Sequence, residues 1–335
     1  MRSLLAPFAL VTSAGLAQSP FYFSQPVMPK DLTAMATLIR TETDIQDIKI
    51  DEAHQSLDVH GPADKLLLAD WLFHQLDRPP GQDQTGPAPE YRIGGPHNEM
   101  ATIFRLPAAV APADLTALVT AVRTVTDIQR VMPYERLNAI VARGEVENIA
   151  AAGWMVRQLW PADEKALTAD SPAYPSPIFS REIDPVIRIF RMPPDTSRAA
   201  LTSMVTAIRT VADVQRLFPY PHGNAIIGES SAAQIALAEW LVHEVGKAPG
   251  SPATLQTTLS GPEESAVRLF LLDPKKSPAD VTALVTQIRS KAAIQRVMPL
   301  SEPPAVVLRG RPEQMPAVEE LVAEYQAGAP AVAKQ

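Results

Sequence analysis

The sequence predicts an α+β fold made of four tandem small units, each running strand, helix, strand, strand, helix. Three observations carry that prediction. The stretch at residues 115–154, LTALVTAVRTVTDIQRVMPYERLNAIVARGEVENIAAAGW, returns three more times without an internal gap, and self-similarity at fixed length marks a repeated supersecondary unit. An arginine slot (Arg40, Arg123, Arg209, Arg289) is followed six residues on by a glutamine slot (Gln46, Gln129, Gln215, Gln295), and 25 residues later by Trp71, Trp154, Trp240 and Glu320. Inside each copy the apolar pattern changes between the strand and the helix period.

Each copy opens on a short strand pattern, at residues 21–23, 102–106, 187–192 and 267–272. IFRLP and IFRMP mix apolar and charged residues as a half-buried strand does, whereas RLFLLDP in the fourth copy is more apolar and predicts deeper cover. A helix follows. Its apolar face is Leu115, Leu118, Val119, Val122, repeated as Leu201, Met204, Val205, Ile208, as Val281, Leu284, Val285, Ile288, and as Leu32, Met35, Ala36, Ile39. The fourth copy signals its helix start best: Ser277 as cap, Pro278 in the first turn and Asp280 as a first-turn acid. Then comes a strand at 128–131 (214–218, 294–298), a turn over 133–136, and a strand at 139–142 (225–228, 305–308). Pro133, Pro219 and Pro299 end the first of these strands, which predicts a turn or a sheet edge there, because proline donates nothing to a ladder. A second helix at 146–159 closes the copy with Ile149, Ala152, Val156 and Leu159 on one side. Two helices over one face of a three-stranded sheet result, and a unit of ~60 residues is marginal alone, so contacts between copies are expected.

The units span 18–77, 100–160, 185–246 and 265–325. Between them, residues 78–99, 161–184 and 247–264 are rich in proline and glycine, long for compact connections. They are either flexible or packed along the next unit. Residues 326–335 read as a disordered tail. Residues 1–17 read as an export signal: Arg2 and the amino terminus are positive, the following run is mostly apolar, and Gly15 and Ala17 are small residues placed for cleavage before Gln18. That run is about half the ~20 residues a membrane span needs. A soluble exported chain, periplasmic in the simplest reading, is the expectation.

Composition narrows the function classes. Of 335 residues, 46% are apolar, enough for cores, and only 20% are charged, with net charge −7. A basic nucleic-acid binder is excluded on that balance. With no cysteine there is no disulfide framework, and the six histidines show no zinc spacing. His54 and His60 lie nearest one another and read as solvated residues. No phosphate-binding loop, nucleophile elbow or dinucleotide fingerprint occurs. The carboxylates close in sequence, Glu42 with Asp44 and Glu145 with Glu147, read as turn or helix-start acids. The expectation is a non-enzyme with no cofactor and no metal.

The order of these elements, with IFRLP at 103–107, NAIVARG at 138–144 and QLDRPP at 75–80, resembles the small periplasmic N-domain repeats of bacterial secretins. The resemblance covers all four copies. It implies a KH-like α+β fold, a non-catalytic role, packing into rings, and contact with secretion or pilus components or with exported substrates. The chain departs from that family in having no barrel-forming region after the repeats, which puts a channel function in doubt. RNA binding by a KH-like unit needs a Gly-x-x-Gly loop and a basic groove, and neither is present.

Two polar slots and one aromatic slot remain as candidate sites. The first-helix arginines read as cations that offset the helix dipole and bond its last carbonyls. Arg130, Arg216 and Arg296, replaced by Asp47 in the first copy, are strand residues or a basic stripe that docks an acidic partner. Trp71, Trp154 and Trp240 cover the core or a joint between copies, or form a row that binds a partner, and Glu320 fits a last unit with no neighbour to cover. The glutamine slot fixes the helix-to-strand corner. The reading is an exported protein-interaction scaffold, with a self-associating ring or filament former as the alternative.

Overall fold

The computed structural model describes residues 17–80, 87–106, 110–161, 170–177, 184–246, 254–258, 264–275 and 277–327. The export signal expected at 1–17 falls almost wholly outside these residues, as does most of the tail expected at 326–335. The described residues fall into two compact bodies, those within 1–109 with 130–145, and those within 110–129 with 146–335. Both are mixed helix and antiparallel sheet, the α+β class that the periodicities predict.

In the first body, β1 (Ala17–Tyr22), α1 (Pro29–Thr43), β2 (Asp47–Asp51), β3 (Ser56–Gly61) and α2 (Ala63–Leu76) build a three-stranded sheet of order β1-β3-β2 with its two helices. Proline at the start of α1 has no N–H to leave unsatisfied. The helix ends at Asp44 in the left-handed conformation, φ 59°, whose N–H bonds the Arg40 carbonyl. Leu32, Met35, Ala36 and Ile39 are buried, as their spacing predicts. A second sheet of order β4-β5-β7-β6 follows, made of β4 (Glu90–Arg92), β5 (Glu99–Arg105), β6 (Arg130–Tyr134) and β7 (Ala139–Glu145). Ala101, Ile103, Ala139 and Val141 of this sheet share one core with Leu32, Met35 and Phe73 of the first. The helix of one sheet therefore packs on the face of the next.

The second body begins with α3 (Pro112–Thr126) and α4 (Val146–Leu159), which pack together. The third sheet, order β10-β11-β9-β8, comprises β8 (Tyr174–Pro175), β9 (Pro185–Arg191), β10 (Arg216–Tyr220) and β11 (Ala225–Ser231), with α5 (Arg198–Val211) and α6 (Ala232–Gly246). The fourth, order β12-β13-β15-β14, comprises β12 (Thr254–Thr258), β13 (Ala266–Leu271), β14 (Arg296–Ser301) and β15 (Pro304–Gly310), with α7 (Pro278–Lys291) and α8 (Met315–Gln326). Ser277 caps α7 as expected, and Asp280, expected only as a first-turn acid, closes a capping box with it. Along β15, Val306 and Leu308 join the core under α7 and α8, while Ala305 and Val307 join the core that holds α5. β13, the apolar fourth-copy strand, is covered on both faces too, Ala266 and Phe270 lying in the former core and Val267 and Leu269 in the latter, and a strand buried on both faces reads as a near-continuous apolar run.

Two expectations need correction. Pro133, Pro219 and Pro299 lie inside β6, β10 and β14, paired with Ile140, Ile226 and Val306, and do not end them. These are edge strands, where a missing N–H is tolerated. Three sheets also have four strands where three were expected. The extra ones, β4, β8 and β12, come from the proline-rich connections, part of which thus packs along the sheet that follows.

Candidate functional site

The four sheets share one register, and their outward rows can be compared residue by residue. Arg130, Arg143 and Ala101 face one another across β6, β7 and β5. The matching rows are Arg216, Glu229, Ile187 and Arg296, Arg309, Val267. The next row in these sheets is apolar throughout: Met132, Val141, Ile103; Phe218, Ile227, Ile189; Met298, Val307, Leu269. Side chains of one row lie on one face of the sheet. This face receives a helix in each case, α1 on β6 and β7, α3 on β10 and β11, α5 on β14 and β15.

At each joint the end of the helix meets the arginine row. Helices α1 and α3 end on Asp44 and Asp127, and Asp213 follows α5; all three have positive φ, 59°, 59° and 63°. Aspartate tolerates that conformation better than most residues. Arg130 pairs with Asp44 at 2.8 Å, Arg216 with Asp127 at 3.7 Å, and Arg296 with Asp213 at 3.3 Å. The partly exposed pairs are worth little each, about 0–1 kcal/mol. The deeper contact is different. Arg143 donates to the Glu42 carbonyl at 2.6 Å and to Glu99 at 2.6 Å and 2.8 Å. Arg309, 8% exposed, donates to the Val211 carbonyl at 3.2 Å and to the Glu264 carbonyl at 2.8 Å. Burial, and secondarily Arg296 beside it, pulls the Arg309 pKa below its usual value, yet a guanidinium stays charged in proteins. Each of these arginines satisfies a carbonyl at the end of a helix that has no partner within the helix.

The first-helix arginines do something other than expected. Arg40, Arg209 and Arg289 reach across to the carbonyls of Ile48, Leu217 and Val297, at 2.7, 2.6 and 3.1 Å, tying each helix to the edge strand that follows it. The glutamine slot is at the corner as expected: Gln129 and Gln215 donate to Asp127 and Asp213 at 3.5 and 3.2 Å.

Two of the three slot tryptophans meet an added strand. Trp71 meets Tyr91 of β4 at 5.5 Å between ring centroids, and Trp154, 8% exposed, stacks on Tyr174 of β8 at 5.0 Å. Trp240 is partly buried against the core of the third sheet and α5. Trp160, which stands outside the repeated slots, donates to the Tyr220 hydroxyl at 2.7 Å and stacks on His222 at 3.9 Å. Burial drives the Tyr220 pKa well above the usual phenol value.

Among the described residues one group could hold a metal: Asp170, Glu239 and His243 offer ligand atoms within 4.8 Å of one another. Those atoms are engaged already. Asp170 accepts the Arg191 backbone N–H at 2.6 Å and contacts His243 at 2.8 Å, while Glu239 is paired with Arg188. An open cleft of about 710 Å³ adjoins them, lined by Arg191, Met192, Pro193, Asn224 and His243 among others. His54 and His60 each lie beside aspartates, Asp51 for the first, Asp47 and Asp58 for the second.

Comparison with known proteins gives secretins among the similar structures. The N-terminal domain of the secretin XcpQ from Pseudomonas aeruginosa is similar at 16% identity and TM-score 0.19, over 52% of this chain and 76% of that one. Aeromonas hydrophila ExeD is similar at 12% identity and TM-score 0.16, over 89% of this chain and 59% of that one. The ETEC pilotin–secretin AspS–GspD complex is similar at 10% identity and TM-score 0.16, over 88% of this chain and 58% of the matched chain. The chain thus spans under two thirds of the last two. At TM-scores this low the likeness carries no argument about function. No known family profile and no curated protein matches the chain.

Proposed function

We propose that the chain is an exported, non-enzymatic protein-interaction scaffold of four tandem units like the secretin N-domain, working in the periplasm beside a secretion or pilus system. The observation that supports this reading is the joint. The recurrent charged and aromatic residues, Arg130, Arg216, Arg296, Trp71 and Trp154 among them, meet partners within the chain that hold a helix or an added strand to a sheet. Residues used this way position small α+β units in series, and such a series offers extended surface rather than a reacting centre. Among the described residues no helix is long and apolar enough to cross a membrane.

Two measurements test the reading. Expressed with its first 17 residues in a Gram-negative host, the chain should appear in the periplasmic fraction with Gln18 at its amino terminus; retention in the cytoplasm at full length overturns the export. Purified chain should then form a stoichiometric complex with a purified secretion or pilus component of its own organism. Failure with every such component overturns the assignment to those systems.

A further inference from the structure

We infer that the outer face of the first sheet and the outer side of α7 are capping surfaces, which keep copies of this chain from joining end to end. The inference rests on the four-unit reading above and names the residues that decide whether a unit accepts a neighbour. In the register of the other three sheets, the first sheet carries Asp47 where they have Arg130, Arg216 and Arg296. Its apolar row is replaced by Lys49, Asp58 and Pro20. The following row has Asp51, Ser56 and Tyr22, the last 63% exposed. A helix docked here would bury Asp47, Asp51 and Asp58 together with Lys49, His54 and His60, and taking charged groups out of water is costly even where they are paired.

The sheet edge is closed as well. In the second sheet the Ile103 N–H points outward and donates to the Pro89 carbonyl at 3.3 Å, and in the third the Ile189 N–H donates to the Ser171 hydroxyl oxygen at 2.9 Å. The first sheet has Pro20 at that register position, which has no N–H to offer an added strand. Among the described residues, β1 is also the edge that carries no fourth strand.

The last helix shows the reciprocal changes. Ala121 and Ala207 of α3 and α5 are fully buried, and α7 has the half-buried Gln287 in their place. Val125 and Val211 are fully buried, and α7 has the exposed Lys291. Where Asp44, Asp127 and Asp213 hold an arginine, Ala293 keeps the positive φ, 55°, with no carboxylate to pair. Polar residues thus replace the joint's apolar contacts on both surfaces, and the ion pair loses its partner at both. A repeat array with ends like these is soluble without a neighbour.

The test uses the full chain. A head variant (P20I, D47R, K49M, D58V) and a tail variant (Q287A, K291V, A293D) each restore half of an internal joint. Alone, each should sediment at the mass of one chain; mixed in equal amounts they should give a species of twice that mass. Two cooperatively folded variants that do not pair when mixed overturn the inference. Because the chain has no cysteine, a second measurement stands apart from these variants. D47C with A293C in the otherwise native chain, treated with a short bismaleimide, should yield no intermolecular ladder, and a ladder shows that the native ends meet and overturns the inference. Neither readout depends on finding a partner, so a failed partner search leaves both intact.

Discussion

The joint of α3 with the third sheet and the joint of α5 with the fourth place opposite charges at one register position. In the fourth sheet Arg309 bonds the end of α5 directly, through the Val211 carbonyl. In the third sheet the same register position is Glu229, 3% exposed, with the Arg216 guanidinium 3.7 Å away. An arginine there serves the helix end by itself. A glutamate there depends on its neighbour in the row, so Arg216 has a task that Arg296 lacks. The position is charged in all three sheets that receive a helix, as Arg143, Glu229 and Arg309.

The largest expected difference between the two joints lies in their tryptophans. Trp154→Ala removes a buried ring stacked on Tyr174 and should cost about 3–5 kcal/mol in chemical denaturation. Trp240→Ala removes a ring that is only partly buried and should cost clearly less. Equal losses would mean that the contact with the added strand contributes nothing beyond the core.

Next comes the charge itself. Arg216→Met takes the cation away from a buried carboxylate and should cost about 3 kcal/mol, at the low end for stripping a buried pair because Arg216 is 34% exposed. Glu229→Gln in that background should recover most of the loss. Arg296→Met should cost less than half as much, since Arg309 keeps its own bonds to two carbonyls. The comparison breaks if the glutamine substitution fails to rescue, or if the two arginines weigh the same. In the same assay Arg309→Lys should cost about 1.5–2 kcal/mol, because an ammonium cannot reproduce the planar fork that reaches both carbonyls.

Much of this was legible in sequence, and the rest was hidden for physical reasons. The helices could be read because their apolar faces repeat at the helical period: α4 has the bounds its pattern predicts, and Ser277 caps α7 as its residue type suggests. The columns holding Asp44, Asp127, Asp213 and Ala293 are visible in the sequence, but their pairing with Arg130, Arg216 and Arg296 is not, since partners lie 83–89 residues apart and meet only after folding. β4 and β8 pair over three and two residues, too few for any alternation to register. They are strands because a sheet edge and a tryptophan hold them, not because of their own propensity. Asp47 looked like an exception within an arginine column. It becomes informative once the face it lies on is seen to receive no helix among the described residues.

The smallest effects separate backbone from charge at the helix ends. Asp213→Gly deletes the pair with Arg296 but suits the positive φ, and should cost under about 1 kcal/mol. Asp213→Ala deletes the same pair and adds the left-handed penalty of a Cβ, about 1 kcal/mol more. Salt distinguishes the two parts: at 1 M the screening length falls to about 3 Å, so the pair's share should vanish while the gap between alanine and glycine persists. Ala293 offers the same measurement with no pair to confuse it. It holds φ 55° with a Cβ and no carboxylate, so Ala293→Gly should raise stability by about 1 kcal/mol, independent of salt. A loss on that substitution would mean that the last helix end is not strained, and that aspartate is favoured at the other three for its charge alone.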